Sequence, residues 1–336
     1  LVMEKITQQN KLSTEYNYLK GRLDKITRFD NIIGQGPAMA KIFELIPEVA
    51  QSDASILLTG ETGTGKELVA KAIHAKSPRS HFPFIPINCG AIPDSLLESE
   101  LFGHQKGAFT GATHSRKGFL EVVSGGTLFL DEIGEISAKM QIDLLRVLED
   151  KKISRIGNCH PVAVDFRLIS ATRRDLEQAI GAGNFREDFF YRINVITIHI
   201  PPLRDRKEDI PLLIEHFLEK YSHETTKRVD HDSRDTIERL TAYEWPGNVR
   251  ELENAIERAV VLSKSRTLDS QDFAFLQKIP AVFSKPMSLR DMEKHYIQRI
   301  LEECGWNVTR AAKILDINRV TLHKKIKRFE MQKSTE

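Results

Sequence analysis

Apolar residues change their spacing several times along the chain, and each change marks a different kind of element. Leu12, Tyr16, Leu19, Leu23 and Ile26 recur at alternating intervals of four and three, which predicts a helix with an apolar seam within residues 1–28. The seam covers only about two heptads, so a coiled coil and a plain amphipathic linker helix both fit. From Phe29 the pattern shortens. Apolar runs at 55–59, 84–87, 127–130, 166–170 and 195–200 are separated by helical patterns, the layout of a doubly wound parallel α/β sheet. Past Pro201 and Pro202 the strands stop, and 208–264 reads as helices alone. Trp245-Pro246-Gly247-Asn248 breaks that segment, with Pro246 expected in the first turn of the next helix. Pro280 and Pro286 mark a linker, and a last helical segment follows from 289 to 329. The expected domains are a helical linker (1–28), an α/β unit (29–200), a helical unit (201–277), a linker (278–287) and a second helical unit (288–336).

Composition narrows the class without changing this layout. The chain has 336 residues, 40% hydrophobic and 29% charged, enough for a sizeable core. Its 49 basic and 47 acidic residues leave a net charge of +2, so any nucleic-acid contact must come from local clustering. Cys89, Cys159 and Cys304 are far apart and form no CxxC pair, which argues against a zinc site or disulfide framework and fits a reducing cytoplasm. No apolar run is long enough to cross a membrane and no signal peptide is present, so no membrane partner is expected. The chain opens on Leu1 rather than methionine, and the expectation is a fragment or processed chain with a segment missing upstream.

Two local motifs carry chemistry. Gly60-Glu61-Thr62-Gly63-Thr64-Gly65-Lys66 fits G-x-x-x-x-G-K, follows the strand at 55–59 and opens a helix expected at 67–76. Its glycines let backbone N–H groups surround phosphates, the helix N-terminus adds positive potential, and Lys66 can reach the β and γ oxygens of ATP. Glu67 stands where Ser or Thr usually holds Mg2+, which leaves Thr64 as the hydroxyl candidate. The strand at 127–130 runs into Asp131 and Glu132, and at the end of a strand both carboxylates can reach the phosphate crevice. Asp131 suits the metal, directly or through water, and Glu132 suits polarising the attacking water. Together the motifs predict an ATPase.

The C-terminal segment has a different chemistry. Residues 307–327 read as two short helices around a tight turn, with Ala311 and Ala312 allowing close contact and Ile314, Leu315, Ile317, Leu322 and Ile326 expected in the shared core. Arg310, Lys313, Arg319, Lys324, Lys325, Lys327, Arg328 and Lys333 face only Asp316 and Glu330, a local charge of +6. A helix-turn-helix lays its second helix in the major groove of DNA. Arg319, Thr321, His323 and Lys324 are candidates for base edges, and Lys325, Lys327 and Arg328 for the phosphate backbone. Apolar positions over 289–300 at helical spacing fit a dimer interface.

A last stretch, Gly107-Ala108-Phe109-Thr110-Gly111-Ala112, holds an aromatic between two glycines. By itself it fits either a loop that folds Phe109 into the core or one that presents it. This hexapeptide matches, residue for residue, the loop of NtrC-type activators of sigma-54 RNA polymerase, and the chain from Phe29 onward resembles that family. The resemblance implies an AAA+ P-loop NTPase, a doubly wound parallel sheet plus helical lid, followed by a C-terminal all-α helix-turn-helix domain of the Fis type. It implies that Gly107 to Ala112 touch the sigma factor and are moved by ATP hydrolysis, and that Asn88 links Glu132 to this loop. Thr172 would sense the γ-phosphate, although Arg173 follows it where many relatives carry Asn. The Lys66-Glu67 ending is shared with the family. Arg186 and Arg192 match its arginine fingers, which come from a neighbouring subunit, so dimers assembling into a hexameric or heptameric ring are implied. Trp245 to Leu252 match the lid motif, in which Arg250 reaches back to the nucleotide.

The function implied is an enhancer-bound ring ATPase that remodels the closed complex of the sigma-54 RNA polymerase holoenzyme, under an N-terminal regulatory domain of the response-regulator or another sensor-controlled type. Two other classes compete: a DNA-binding repressor or regulator with a vestigial ATPase, and a general AAA+ unfoldase or helicase loader. Intact Lys66, Asp131, Glu132 and hexapeptide oppose the first, and the hexapeptide together with the basic C-terminal helices opposes the second.

Overall fold

The computed structural model describes residues 28–29, 32–108, 114–158, 160–225, 234–263, 267–269, 271–276, 289–329 and 331. The expected helix at 12–26, Phe109 to Ala112 of the hexapeptide, the linker at 278–287, Cys159 and Lys333 lie outside them. The chain divides into two compact units between Asp272 and Phe273.

Five parallel strands organise the first unit: β1 (Ile56–Thr59), β2 (Phe84–Asn88), β3 (Thr127–Asp131), β4 (Arg167–Thr172) and β5 (Ile196–His199), in the order β5-β1-β4-β3-β2. Successive side chains on a strand point to opposite faces, and here both faces are buried. Ile56, Leu58, Phe129, Ile169, Ala171 and Ile198 join one apolar layer with residues of α1 (Pro37–Ala50) and α2 (Lys66–Ala75). Leu57, Ile87, Leu128, Leu130 and Leu168 join the other with α3 (Asp94–Phe102), α4 (Ala138–Asp150), α5 (Leu176–Gly181) and α6 (Glu187–Ile193). Each fully buried Leu or Ile contributes about 1.5–3 kcal/mol. All six residues of β4 are buried, which carries this strand two residues past its expected end at 170.

Strand order fixes where chemistry can occur. The chain leaves β1 for the far edge at β2, returns through β3 and β4, and then crosses to the opposite side of β1. The loops after β1, β3 and β4 therefore open at the same end of the sheet, at the switch in winding where α/β sheets bind ligands.

Three helices complete this unit: α7 (Ile210–Thr225), α8 (Arg234–Ala242) and α9 (Asn248–Leu262), with α9 packed on α7. The expectation for Pro246 is corrected here, because α9 begins at Asn248 with Gly247 as its N-cap and leaves the proline outside. Left-handed backbone at Trp245 (φ 47°) and Asn248 (φ 56°) makes the turn instead. Trp245, fully buried and donating Nε1–H to Leu240 O at 2.8 Å, holds it in place.

In the second unit α10 (Leu289–Glu303), α11 (Val308–Ile314) and α12 (Arg319–Arg328) enclose Ile297, Ile300, Leu301, Ala311, Ala312, Leu322 and Phe329. Asn307 and Asn318 cap α11 and α12 by accepting backbone N–H bonds from Arg310 and Val320. Ile314, expected in the core, is 52% exposed. The buried residues of α11 are Ala311 and Ala312, and Ile314 lies about 200° around the helix from Ala312. Ile297 and Ile300 spend their apolar surface inside this unit, so they are not available to a dimer interface. Among the described residues no helix is long and apolar enough to cross a membrane.

Candidate nucleotide and DNA sites

The loop after β1 turns at Gly63 and Gly65, with φ of 79° and 101°. A Cβ on Gly63 would stand 2.3 Å from Gly247 O, so the lid approaches the loop too closely for any side chain there. Residues 62–68, Asp131, Glu132 and Arg250 line a cavity of about 610 Å³. Its first wall is a helix N-terminus, where unpaired N–H groups and the helix dipole favour an anion. Lys66, 7% exposed, donates Nζ hydrogen bonds to Gly60 O at 2.9 Å and Glu61 O at 3.0 Å. Burial lowers its pKa, while Asp131 and Glu132 oppose that shift.

Not every residue expected at this site faces it. Gly60, Glu61, Asn88 and Thr172 lie outside the cavity lining. Glu61 turns its carboxylate to Arg204 and Asn248, whose hydrogen bonds hold its pKa down at about 2. Thr64 Oγ1 donates to Glu61 O at 2.8 Å, so the hydroxyl considered for the metal spends its proton inside the loop. Glu67 pairs with Lys71 one turn along α2 at 2.7 Å. Asn88 Oδ1 accepts the backbone N–H of Gly90 and of Ala91, each at 3.0 Å, and caps a turn rather than binding Glu132.

Asp131 ends β3, and its Oδ1 accepts the Glu132 N–H at 3.0 Å. Glu132 sits in left-handed backbone (φ 53°), and its Oε2 is buried without a hydrogen-bond partner. The cation beside it is Arg173, Nε lying 3.8 Å from Oε1. Thr172 is fully buried, and its Oγ1 accepts the Arg174 N–H at 3.0 Å. Because β4 continues through Thr172, Arg173 is the first residue free to turn toward Glu132.

Sequence reasoning missed the far wall. Ile32, Ile33, Leu213, His216, Phe217 and Lys220 also line the cavity. The last four recur along one face of α7, a spacing that by itself reads as ordinary core. Arg206 was missed as well: nearly fully buried, it donates Nη2–H to Thr64 O at 2.9 Å.

Arg186 and Arg192 are exposed and lie away from this chain's own cavity. Arg186 pairs with Asp188, Nε to Oδ1 at 3.0 Å, and Arg192 donates Nη2–H to Leu148 O at 2.9 Å. Before the hexapeptide's undescribed part, Gly107 has φ 86° and Ala108 N–H reaches Gln105 O at 3.2 Å. The base of this loop is pinned twice, since Gly103–His104 pair antiparallel with Arg116–Lys117, and Gln105 N–H donates to Ile156 O at 3.0 Å.

In the second unit, Arg319, Thr321, His323, Lys324, Lys327 and Arg328 share the exposed surface of α12, opposite buried Leu322 and Phe329. Lys325 departs from the expectation: it is half-buried and paired with Glu293 of α10, so its charge is already compensated.

Known proteins resemble this arrangement over nearly its whole length. Residues 32–199 match the Sigma-54 interaction domain, 204–280 the AAA+ ATPase lid domain, and 288–329 the Fis family of bacterial regulatory proteins. The transcriptional regulatory protein ZraR of Salmonella typhimurium is 48% identical over 301 residues, covering 88% of this chain and 68% of that protein. The regulatory protein AtoC of Escherichia coli is 43% identical over 341 residues, covering 98% and 74%. Crystal structures of NtrX from Brucella abortus superpose with a TM-score of 0.72 at 33% identity, and of 0.70 at 34% for its complex with ATP, covering 98% of this chain and 74% and 75% of theirs. The five-stranded sheet with its helical lid, the basic helix-turn-helix and these matches place the chain in the family of sigma-54-dependent transcriptional activators.

Proposed function

We propose that the cavity binds ATP and hydrolyses it with water to ADP and phosphate, and that this reaction drives remodelling of the closed sigma-54 RNA polymerase complex from enhancer DNA. One observation carries the reading: the phosphate loop, the Asp131–Glu132 pair and Arg250 of α9 line a single cavity. The N–H groups of 62–66 receive the phosphates, and Lys66 exchanges its two carbonyl partners for β and γ oxygens. Glu132, with one oxygen unpartnered, accepts the proton of the attacking water. Ile32, Ile33, Leu213 and Phe217 offer the base an apolar slot. Thr172 keeps the γ-phosphate sensing role the resemblance implies, Arg173, 3.8 Å from Glu132, is a second candidate for it, and Asn88 acts through the turn it caps.

Asp131 would hold Mg2+, whose oxygen preference suits a lone carboxylate completed by phosphate oxygens. Among the described residues no group of three or more His, Cys, Asp or Glu could hold a metal, which fits an ion that takes part of its oxygens from the nucleotide. Bound there, it neutralises charge on the phosphates. Arg186 and Arg192 would serve the cavity of the next subunit in a ring of dimers, after release from Asp188 and Leu148 O. Phe109 and Thr110 would deliver the motion to the sigma factor.

Transcription in vitro from a sigma-54 promoter, with and without hydrolysable ATP, tests the whole reading. Glu132→Gln should bind ATP but hydrolyse it about 100-fold or more slowly. Thr110→Ala should hydrolyse ATP and yield no open complex. Open-complex formation by the wild type without hydrolysis would overturn the reading.

A further inference from the structure

Glu61 is the one acidic side chain within the phosphate loop, and a carboxylate there opposes the anion the loop is shaped to hold. Its charge is taken up by the lid side of the molecule. Arg204, in the short helix Leu203–Asp205 after β5, donates Nη2–H to Oε1 at 2.6 Å and Nη1–H to Oε2 at 2.9 Å, a two-pronged pairing with fixed geometry. Asn248, the first residue of α9, donates Nδ2–H to the same Oε2 at 3.1 Å.

Asn248 is fully buried and all its side-chain polar atoms are used: Nδ2 also donates to Thr62 O at 3.1 Å, and Oδ1 accepts the Leu203 N–H at 2.7 Å. Next to it, Gly63 O accepts the N–H of Val249 at 3.0 Å and of Arg250 at 3.4 Å. Residues 61–63 therefore belong mechanically to the lid, Thr64 is tied to the same segment by Arg206, and α2 starts only at Lys66. Arg250, two residues beyond Asn248, lines the cavity, so the same contacts set where its guanidinium can reach.

We propose that Glu61, Arg204 and Asn248 form a joint that fastens the phosphate loop to the lid, so that the loop and the first turn of α9 move as one piece when nucleotide binds. The joint makes Arg204 and Asn248 positioning residues for Arg250. Only its response to nucleotide rests on the ATP reading above; the joint itself is a property of the free protein.

Hydrogen exchange on the nucleotide-free full chain reads the joint directly. Arg204→Ala removes a half-exposed side chain that the core does not need, and it should speed exchange of the Val249 and Arg250 amides about tenfold. In a Glu61→Gln background the same substitution should have a much smaller effect, as two coupled partners require. Unchanged exchange in Arg204→Ala, or equal effects in both backgrounds, overturns the joint. A second measurement uses Trp245, buried three residues before Asn248, as the only tryptophan in a Trp306→Phe chain, excited selectively over tyrosine. ADP should change its emission, and Arg204→Ala should lose that change while calorimetry still shows ADP bound. An undiminished change in the variant overturns the proposal. Failure of the parent to bind ADP would sink the ATP reading instead, with the exchange result still deciding the joint.

Discussion

Around the phosphate loop, neighbours move ionisable groups in ways that leave a measurable trace. Hydrogen bonds from Arg204 hold Glu61 at about 2 against an ordinary 4.5. A carboxyl depressed on folding adds stability above its unfolded pKa and loses it as pH falls through the folded value, here between 4.5 and about 2. With 42% of the side chain exposed, solvent screening reduces this to about 1 kcal/mol. Glu61→Gln should therefore lose about 1 kcal/mol at neutral pH and show a flatter acid limb, read from urea midpoints at stepped pH. An acid limb as steep as the parent's would show that Glu61 contributes nothing to it. Residues at this scale were legible where chemistry is local in sequence: Lys66, Asp131 and Glu132 follow from short motifs. His216, Lys220, Arg204 and Arg206 were not, because only tertiary packing brings them to the loop.

Secondary elements were read well where both faces of a strand are apolar, and less well where a polar side chain ends an element. Arg167 is such a case. It opens β4, is 1% exposed, and donates Nη1–H to Ala50 O at 2.9 Å and Nη2–H to Val49 O at 2.6 Å, capping the C-terminus of α1 from a distant part of the chain. Nothing in the sequence distinguishes this arginine from a surface one. Arg167→Met keeps roughly the volume but orphans the Ala50 carbonyl, since Val49 O still accepts the Ser52 N–H at 3.2 Å, at a cost of about 1 kcal/mol after the relief of burying a guanidinium. A lower urea midpoint with an unchanged slope would show it. In the second unit Asn318→Ala removes the cap of α12, worth about 1 kcal/mol. On α12 itself, Lys327→Ala should reduce the salt slope of DNA affinity by about 1, because an exposed lysine that meets a phosphate releases a counterion on binding. Lys325→Ala should change the slope less, since Glu293 already neutralises that charge. Equal slopes for the two variants would remove the distinction between them.

At the scale of the assembly, the proposed ring makes each hydrolytic site composite. In such a ring Lys66 and Glu132 would come from one subunit and Arg192 from the next, a reading supported by Arg186 and Arg192 standing clear of their own cavity while α6 fixes their backbone. A ring built head to tail presents the same pair of unlike surfaces at every contact. Lys66→Ala and Arg192→Ala should each abolish hydrolysis when prepared alone. Mixed before assembly, they should regain it, because some contacts then join an intact cavity on the Arg192→Ala subunit to an intact arginine on the Lys66→Ala subunit. Random mixing in equal amounts gives such contacts at about one interface in four, which caps the recovered turnover at about a quarter of wild type if the sites act independently. Phosphate release from the mixture, against each variant alone, measures it. A mixture as inactive as its components, although sedimentation shows the two variants co-assembled, would mean that both groups act within one chain. The pairing of Arg192 with Leu148 O would then be a structural contact and no resting position of a finger.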